Sequence, residues 1–422
     1  MKLQKIVNHL QKLHPKEIDL SLDRIKNLCK NLGNPQDNLK TISIVGTNGK
    51  YSTIRALFAI LKEANFNCNI YTSPHIIRIN ERFIFNNHEL NDEDLSKLLE
   101  DVAEANNNDP ITFFEILTAA YFYQAAKTPE NINLIEAGLF HRFDATNILK
   151  KNLASVVTSI GLDHLDWLPK NEKNIEKIIF EKTSTLLNSN IIVSKQSSDY
   201  IKNEIKKSLS RNNSKKYFFG DDYNYLFNEN GFVYYEDKQG GIKLPQTNIK
   251  GQFQLDNISN AIATLRSIEE LNVNENHIKN GITKIKSIAR LQEINSGKLK
   301  ELVRDNTLLV DGSHNPLGAK VLNEYLNSLD CNKHVILGMM ANKNHKEYMS
   351  YFKNISTLTT IDIPNQPNSI NGKELKNKLN SFKNVQYKES ISEAIKSIPV
   401  KKNDIILITG SLYLAGEVLN LN

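Results

Sequence analysis

Ile42-Ser43-Ile44-Val45-Gly46-Thr47-Asn48-Gly49-Lys50-Tyr51-Ser52-Thr53 is the stretch whose reading decides the fold. A β-branched apolar run ends in a glycine-containing turn, then a lysine, then hydroxyl residues that open an expected helix. Such a strand–turn–helix points backbone N–H groups and a helix N-terminus at an anion, with Lys50 as a mobile cation. The segment reads as a cradle for nucleotide phosphates. The general phosphate-loop pattern asks for a glycine where Ile44 stands and for Ser or Thr where Tyr51 stands. The strict pattern is not met, so a plain strand-to-helix loop is the competing reading of this segment alone.

Working outward, short β-branched runs at 68–71, 132–135, 155–159 and 191–193 alternate with helical patterns such as 54–63 and 114–123. That alternation predicts a mostly parallel sheet with helices on both faces. Residues 217–241, rich in Tyr, Asn and Gly, read as a β-meander. A second alternating series has strands at 307–310, 334–337, 357–361 and 405–408, with helices at 317–326, 373–379 and 391–398, the last stopped by Pro399. The hinge is expected in Asn295-Ser296-Gly297-Lys298, which divides the chain into domains at 1–295 and 296–422.

The chain has 422 residues, 40% hydrophobic and 24% charged, with a net charge of +6. This is the composition of a soluble globular protein of two or three domains. Lysines spread over solvated faces account for the charge, which gives no ground for a nucleic-acid partner. No run is apolar enough to span a membrane, and Met1-Lys2-Leu3-Gln4-Lys5 lacks a signal-peptide core. Cys29, Cys68 and Cys331 are far apart and show no metal spacing, as expected of reduced thiols in a cytoplasmic protein.

Other segments carry chemistry with less specificity. Glu136 ends an apolar strand, where a carboxylate serves as a Mg2+ ligand or simply faces water. His164, in Leu162-Asp163-His164, reads as a metal ligand, an acid–base group or a satisfied loop histidine. Glu181-Lys182 alone is a surface pair. Gly251-Gln252-Phe253-Gln254-Leu255-Asp256-Asn257 precedes a helical run at 258–271, and its amides suit an adenine edge or a helix cap. Asp311-Gly312-Ser313-His314-Asn315-Pro316 and Gly410-Ser411-Leu412-Tyr413 are both strand–turn–helix passages, where open α/β sheets keep their ligands.

Together and in this order, these pieces resemble folylpolyglutamate synthase/dihydrofolate synthase, a family in the Mur-ligase superfamily of ATP-dependent amide ligases. The resemblance is carried by the phosphate loop, by Thr72-Ser73-Pro74-His75 with Asn80-Glu81-Arg82, and by Phe114-Glu115. It continues through Glu136-Ala137-Gly138, Arg142 with Asp144-Ala145-Thr146-Asn147, Leu162-Asp163-His164, Glu181-Lys182 and Ala289-Arg290, and ends with the two strand–turn–helix passages above. It spans nearly the whole chain.

What the resemblance implies is an α/β protein: an N-terminal phosphate-loop ATP-binding domain with a mostly parallel sheet, and a smaller Rossmann-like glutamate-ligase domain. The implied reaction adds L-glutamate to dihydropteroate and/or reduced folates through an acyl phosphate. A folylpolyglutamate synthase alone, or an impaired nucleotide- or folate-binding homologue, is the alternative. ATP would be held by Gly46, Thr47, Asn48, Gly49, Lys50, Ser52 and Thr53, with Asn257 at the adenine, Asp311 at the ribose, His314 nearby and Arg290 at the transferring phosphate. Two Mg2+ sites are implied: Ser52 and Glu136 hold one, His164 the other, with Lys182 contributing as a carbamate. Ser73, Pro74, His75, Arg82, Glu115, Asp144, Thr146 and Asn147 would line the folate site, and Ser411 the glutamate pocket. The resemblance also implies a cytoplasmic monomer with small-molecule substrates.

The chain departs from the family at Tyr51, where a small glycine is usual, and at Phe140-His141, where Gly-Gly is usual. Thr183-Ser184 stands for Ala-Gly, Asn344 for Asp and Phe253 for His. A bulky Tyr51 is expected either to crowd the metal and push the helix start or to point away. Loss of the two glycines is expected to reshape the loop before Arg142.

Overall fold

The computed structural model describes every residue except Met1, Glu17, Glu229, Asn230 and Lys383. Strands β1 (Lys40–Val45), β2 (Cys68–Tyr71), β3 (Phe83–Phe85), β4 (His88–Glu89), β5 (Ile132–Glu136), β6 (Ala154–Val157), β7 (Asn190–Val193) and β8 (Lys216–Phe218) form one sheet in the order β4-β3-β2-β5-β1-β6-β7-β8. From β2 to β8 every pairing is parallel, while β3 and β4 continue the edge antiparallel. The sequence explains the order. β1 is buried along Thr41–Val45 and β5 throughout, the condition of central parallel strands covered on both faces. β1 lies between β5 and β6, so the C-terminal ends of these three strands flank the crevice where such sheets bind ligands.

Helix Lys50–Glu63 follows β1 and buries Ile54, Leu57, Ile60 and Leu61. Their helical spacing makes one apolar face, and each side chain contributes about 1.5–3 kcal/mol by leaving water. Helix Glu275–Ile282 packs on it at Gly281. A Cβ added there would lie 2.6 Å from Ile60 Cα and 2.8 Å from Ile60 N. A small antiparallel sheet of β9 (Tyr223–Phe227), β10 (Val233–Asp237) and β11 (Gly240–Leu244) fills the meander region.

The second sheet contains β12 (Gln292–Glu293), β13 (Thr307–Val310), β14 (Lys333–Leu337), β15 (Thr357–Ile361), β16 (Val385–Lys388) and β17 (Ile405–Thr409), in the order β12-β13-β17-β14-β15-β16. Only β12 runs antiparallel to its neighbour. The chain divides into two compact units: residues up to Asn248 with Leu255–Ile285, and Ile249–Gln254 with Lys286–Asn422. Among the described residues no helix is long and apolar enough to cross a membrane.

Two expected bounds are corrected. The strand expected at 155–159 is β6, Ala154–Val157, because Ser159 turns away to accept hydrogen bonds from the phosphate loop. The helix expected at 258–271 is Phe253–Ser267, so Phe253–Asn257 form its first turns rather than a cap before it.

Gly281→Ala places a methyl group against the backbone at Ile60, where no rotamer relieves it. The variant is expected to unfold about 3–10 °C below the parent in a thermal melt.

Candidate functional site

The phosphate loop is fixed by two glycines and one threonine. Gly46 has φ +148°, and a Cβ there would lie 1.9 Å from Thr158 Oγ1. Gly49 has φ +90° at the N-cap of helix Lys50–Glu63, and a Cβ there would meet Asn257 Oδ1 at 2.3 Å. Asn257, expected at an adenine, therefore stands against the phosphate loop. The Thr47 and Asn48 amides both donate to Ser159 O, at 2.9 and 3.1 Å. Thr47 Oγ1 donates to Gly161 O at 3.0 Å and accepts from Gly161 N at 3.1 Å. These groups clasp the loop after β6, and the anion-facing donors belong to the first helical turn, whose N–H groups have no intrahelical partner. Ser52 and Thr53 are buried in that turn, and Tyr51 is half-buried. The helix begins at Lys50, with Thr53 N bonding to Gly49 O at 2.8 Å, so Tyr51 does not push the helix start.

Two lysines converge on one carbonyl. Lys50 Nζ lies 3.4 Å from Gly46 O, 3.3 Å from Thr47 O and 3.7 Å from Glu136 Oε1. Lys182 Nζ donates to the same Gly46 O at 2.8 Å and to Leu139 O at 2.8 Å. Lys182 is therefore no surface pair member. It is 3% exposed, and burial, then the nearby Lys50 charge, pulls its ammonium down to about 7. A neutral amine keeps two N–H donors, enough for both carbonyls. Its neighbour Glu181 instead forks onto Arg142, at 2.7 and 2.8 Å, which keeps the guanidinium charged.

Glu136 ends β5 buried, with Oε2 accepting from Ser73 N at 3.2 Å. His164 lies beyond β6 in the left-handed region at φ +57°, and Asp163 Oδ1 accepts from its N–H at 2.9 Å. The His164 and Phe140 rings meet edge-on at 6.5 Å. Among the described residues no three His, Cys, Asp or Glu side chains form a metal cluster. The oxygen donors Glu136 and Ser52 suit Mg2+, which takes one or two carboxylates and completes its shell with water and phosphate oxygens. The residues present fit that ion.

Phe140 and His141 need no glycine conformation, because neither has a positive φ. Phe140 packs in the core beneath Lys182, whose ammonium lies 5.5 Å from its ring centre. The buried His141 bonds Thr185 Oγ1 at 3.0 Å and is pulled down to about 4 by burial and the Lys182 charge. Both side chains are thus accommodated inside without a left-handed backbone at either position.

The residues expected at a folate site are held by local bonds. His75 Nδ1 accepts from Arg82 Nε at 2.9 Å, and burial first, then that guanidinium, lower its ring to about 4. Glu115 closes a capping box with Thr112 at the start of helix Phe113–Ala125 and accepts from Arg24 Nε at 3.0 Å. Asp144 accepts from Gly138 N, Leu139 N, Thr146 N and Thr146 Oγ1. Asn147 Nδ2 reaches Thr185 Oγ1 at 3.0 Å. Ser73 and Pro74 sit in the turn after β2.

In the second unit Arg290 Nη1 folds onto Ala289 O at 2.9 Å. Asp311 Oδ2 accepts from Leu291 N and Oδ1 from Ser313 N, both at 2.8 Å. His314 Nδ1 lies 2.9 Å from Gly312 O, and Ser411 caps helix Leu412–Leu421. Sequence reasoning missed Leu139, Thr158 and Gln196. Gln196 accepts from Ile160 N at 3.0 Å and donates to Thr158 O and Ser194 O. Only the hydroxyl-rich Thr158-Ser159 pair hinted at this brace.

Residues 44–265 match the Mur ligase middle domain and residues 298–412 the Mur ligase glutamate ligase domain. A Haemophilus influenzae dihydrofolate synthase/folylpolyglutamate synthase is 28% identical over 97% of this chain and 95% of its own. The structure of Escherichia coli FolC in complex with DHPP and ADP is 26% identical, covers 99% of this chain and 97% of its own, and superposes with a TM-score of 0.87. A Yersinia pestis bifunctional folylpolyglutamate synthase/dihydrofolate synthase complexed with AMPPNP and Mn ion, 22% identical, shares the fold with a TM-score of 0.86 over 99% of this chain and 97% of its own. The fold is that of a Mur ligase. Within that class, the chain belongs to the folylpolyglutamate synthase/dihydrofolate synthase family.

Two outcomes follow from this geometry. Tyr51→Gly is expected to leave kcat within about twofold and to lower the unfolding midpoint by a few degrees, since glycine in a helix costs about 0.5–1 kcal/mol. Lys182 binds its proton more weakly folded than unfolded, so its contribution to stability rises with pH from about 7 to the unfolded value near 10.5. Melts under CO2-free gas should show the parent gaining on Lys182→Met across that window and not below it.

Proposed function

We propose that the chain is an ATP-dependent ligase joining L-glutamate to dihydropteroate and, in further rounds, to the γ-carboxylate of reduced folates. The observation that carries this reading is the phosphate loop with Glu136 and Lys182 beside it, on a chain that aligns with such enzymes along 97% of its length.

Lys50 and the first-turn amides hold and neutralise the ATP phosphates. A carboxylate oxygen of the acceptor attacks the γ-phosphorus, and ADP leaves. The glutamate amine then attacks the acyl carbon, phosphate departs, and the amine proton passes to solvent. No protein nucleophile is needed; the site aligns reactants and balances charge. Mg2+, held by Ser52 and Glu136 and, at a second position, by His164 with a carbamylated Lys182, supplies charge neutralisation when bound.

Carbamylation fits the environment of Lys182. The neutral amine attacks CO2 and releases one proton to solvent, so an uncharged group near Lys50 becomes an oxygen anion. The remaining assignments accompany this reading: Asn257 at the adenine, Asp311 and His314 at the nucleotide, Arg290 at the transferring phosphate and Ser411 at glutamate. A cytoplasmic location is supported by three free thiols, of which Cys29 and Cys68 are buried.

The test is ADP formation with ATP, Mg2+ and L-glutamate, comparing dihydropteroate with tetrahydrofolate. Turnover with both is expected. Turnover with tetrahydrofolate alone narrows the enzyme to folylpolyglutamate synthesis, and silence with both removes the reading. Lys182→Ala should cut kcat at least about a hundredfold, and stripping CO2 from the parent should lower activity reversibly.

A further inference from the structure

Among the described residues, left-handed non-glycine backbone falls on asparagines except at four positions: His164, Ala289, Leu291 and Arg304. Asparagine tolerates that conformation because its short side chain bonds locally; alanine and leucine have no such compensation. Two of the four exceptions, Ala289 at φ +53° and Leu291 at φ +45°, flank Arg290. Strain of this kind persists only where the surroundings over-determine it, and it gathers at functional sites.

The surroundings are specific. Ala289 and Leu291 are 0% and 1% exposed, so both side chains are anchored inside while Arg290 between them is not buried. Each left-handed residue is pinned through its own N–H: Leu291 N donates to Asp311 Oδ2 at 2.8 Å, and Ala289 N donates to Gln292 Oε1 at 2.9 Å. The Ala289 carbonyl is held by Gly312 N at 3.0 Å and by Arg290 Nη1 at 2.9 Å. Gly312 leaves room beneath it: a Cβ there would lie 2.2 Å from Leu412 Cδ2 and 3.1 Å from Arg290 Nη1. Gln292 is itself fixed in β12, paired with Val310 of β13, one residue before Asp311.

We propose that Gln292 is a positioning residue: with the left-handed pair Ala289 and Leu291 it fixes the backbone that carries Arg290 and the carbonyl on which the Arg290 guanidinium is held. The proposal rests on the reading of Arg290 given above. Asp311 pins the other side of the same loop with one carboxylate oxygen and has its second on Ser313 N, so it too orients Arg290, whatever else it touches.

The test measures kcat, the KM values for ATP and L-glutamate, and the unfolding midpoint of the full-length enzyme. Gln292→Leu should lower kcat about tenfold with both KM values within about twofold, and Gln292→Glu, which keeps an acceptor for Ala289 N, should recover most of that loss. Ala289→Gly frees the loop while accepting its φ, so it should hold the midpoint at or above the parent and still lower kcat. Should a Gln292 variant fold poorly, Ala289→Gly carries the test alone. Arg290→Ala is the control. If it abolishes turnover while Gln292→Leu and Ala289→Gly keep parental kcat, the positioning role is overturned and the reading of Arg290 stands. If Arg290→Ala itself turns over normally, the role assigned to Arg290 falls, and this proposal with it.

Discussion

The carbonyl of Gly46 accepts hydrogen bonds from two lysines, and the first unit is organised around that shared acceptor. Lys50 reaches it from the first turn of the helix that leaves the loop, and Lys182 from a helix 136 residues further on. Two ammonium groups on one oxygen repel each other, and burial makes the repulsion worse. The answer built into the fold is that Lys182 gives up its proton near pH 7 while keeping both hydrogen bonds. The geometry demands glycine at 46, because Thr158 occupies the space a side chain would fill. It also demands that the loop after β6 stay where it is, which Thr47 secures at Gly161 and Gln196 at Ile160.

The departures from the family pattern take on physical meaning against this arrangement. Phe140 puts an aromatic ring beneath the Lys182 amine and beside His164, so the side chain that stands where the family has glycine forms an apolar wall there. Thr183 bonds Ile179 O and Ser208 Oγ, and Asn344 caps helix His345–Ser350. These side chains have local structural work, and none displaces Lys50, Glu136 or Lys182.

Much of this was legible in the residues. The run Ile42–Val45 followed by Gly, Lys and hydroxyls specified a central strand, a tight turn and a helix because each piece is locally determined. The short strands β3, β4, β8, β12 and β16, at or next to the sheet edges, were not marked; all but β16 have only two or three residues, too few for alternation to register. The start of the helix at Phe253 was missed because its first turn is fixed by packing: Phe253 joins the core around Leu291 and Leu309. By its local pattern alone Lys182 looked like a surface residue for the same reason, and only the family resemblance expected it at the metal site. Its burial depends on Gly46 and Leu139, and no local pattern announces a contact across 136 positions. The strained backbone around Arg290 is equally silent in sequence, because Ala and Leu carry no turn signal.

The division of the chain has one more implication, for inheritance rather than chemistry. Residues Ile249–Gln254 belong with the second unit although the chain returns to the first for Leu255–Ile285. The polypeptide therefore passes between the units three times, and Phe253 leaves its ring in the core of the later one. The two halves are not cassettes. A gene fusion or truncation cut at 285 delivers a C-terminal fragment with a hole where Phe253 belongs, and an N-terminal fragment with an apolar ring that has lost its cover. Recombination between relatives is thereby confined to exchanges that carry both pieces of the second unit together, so the two halves of such an enzyme are bound to change in step.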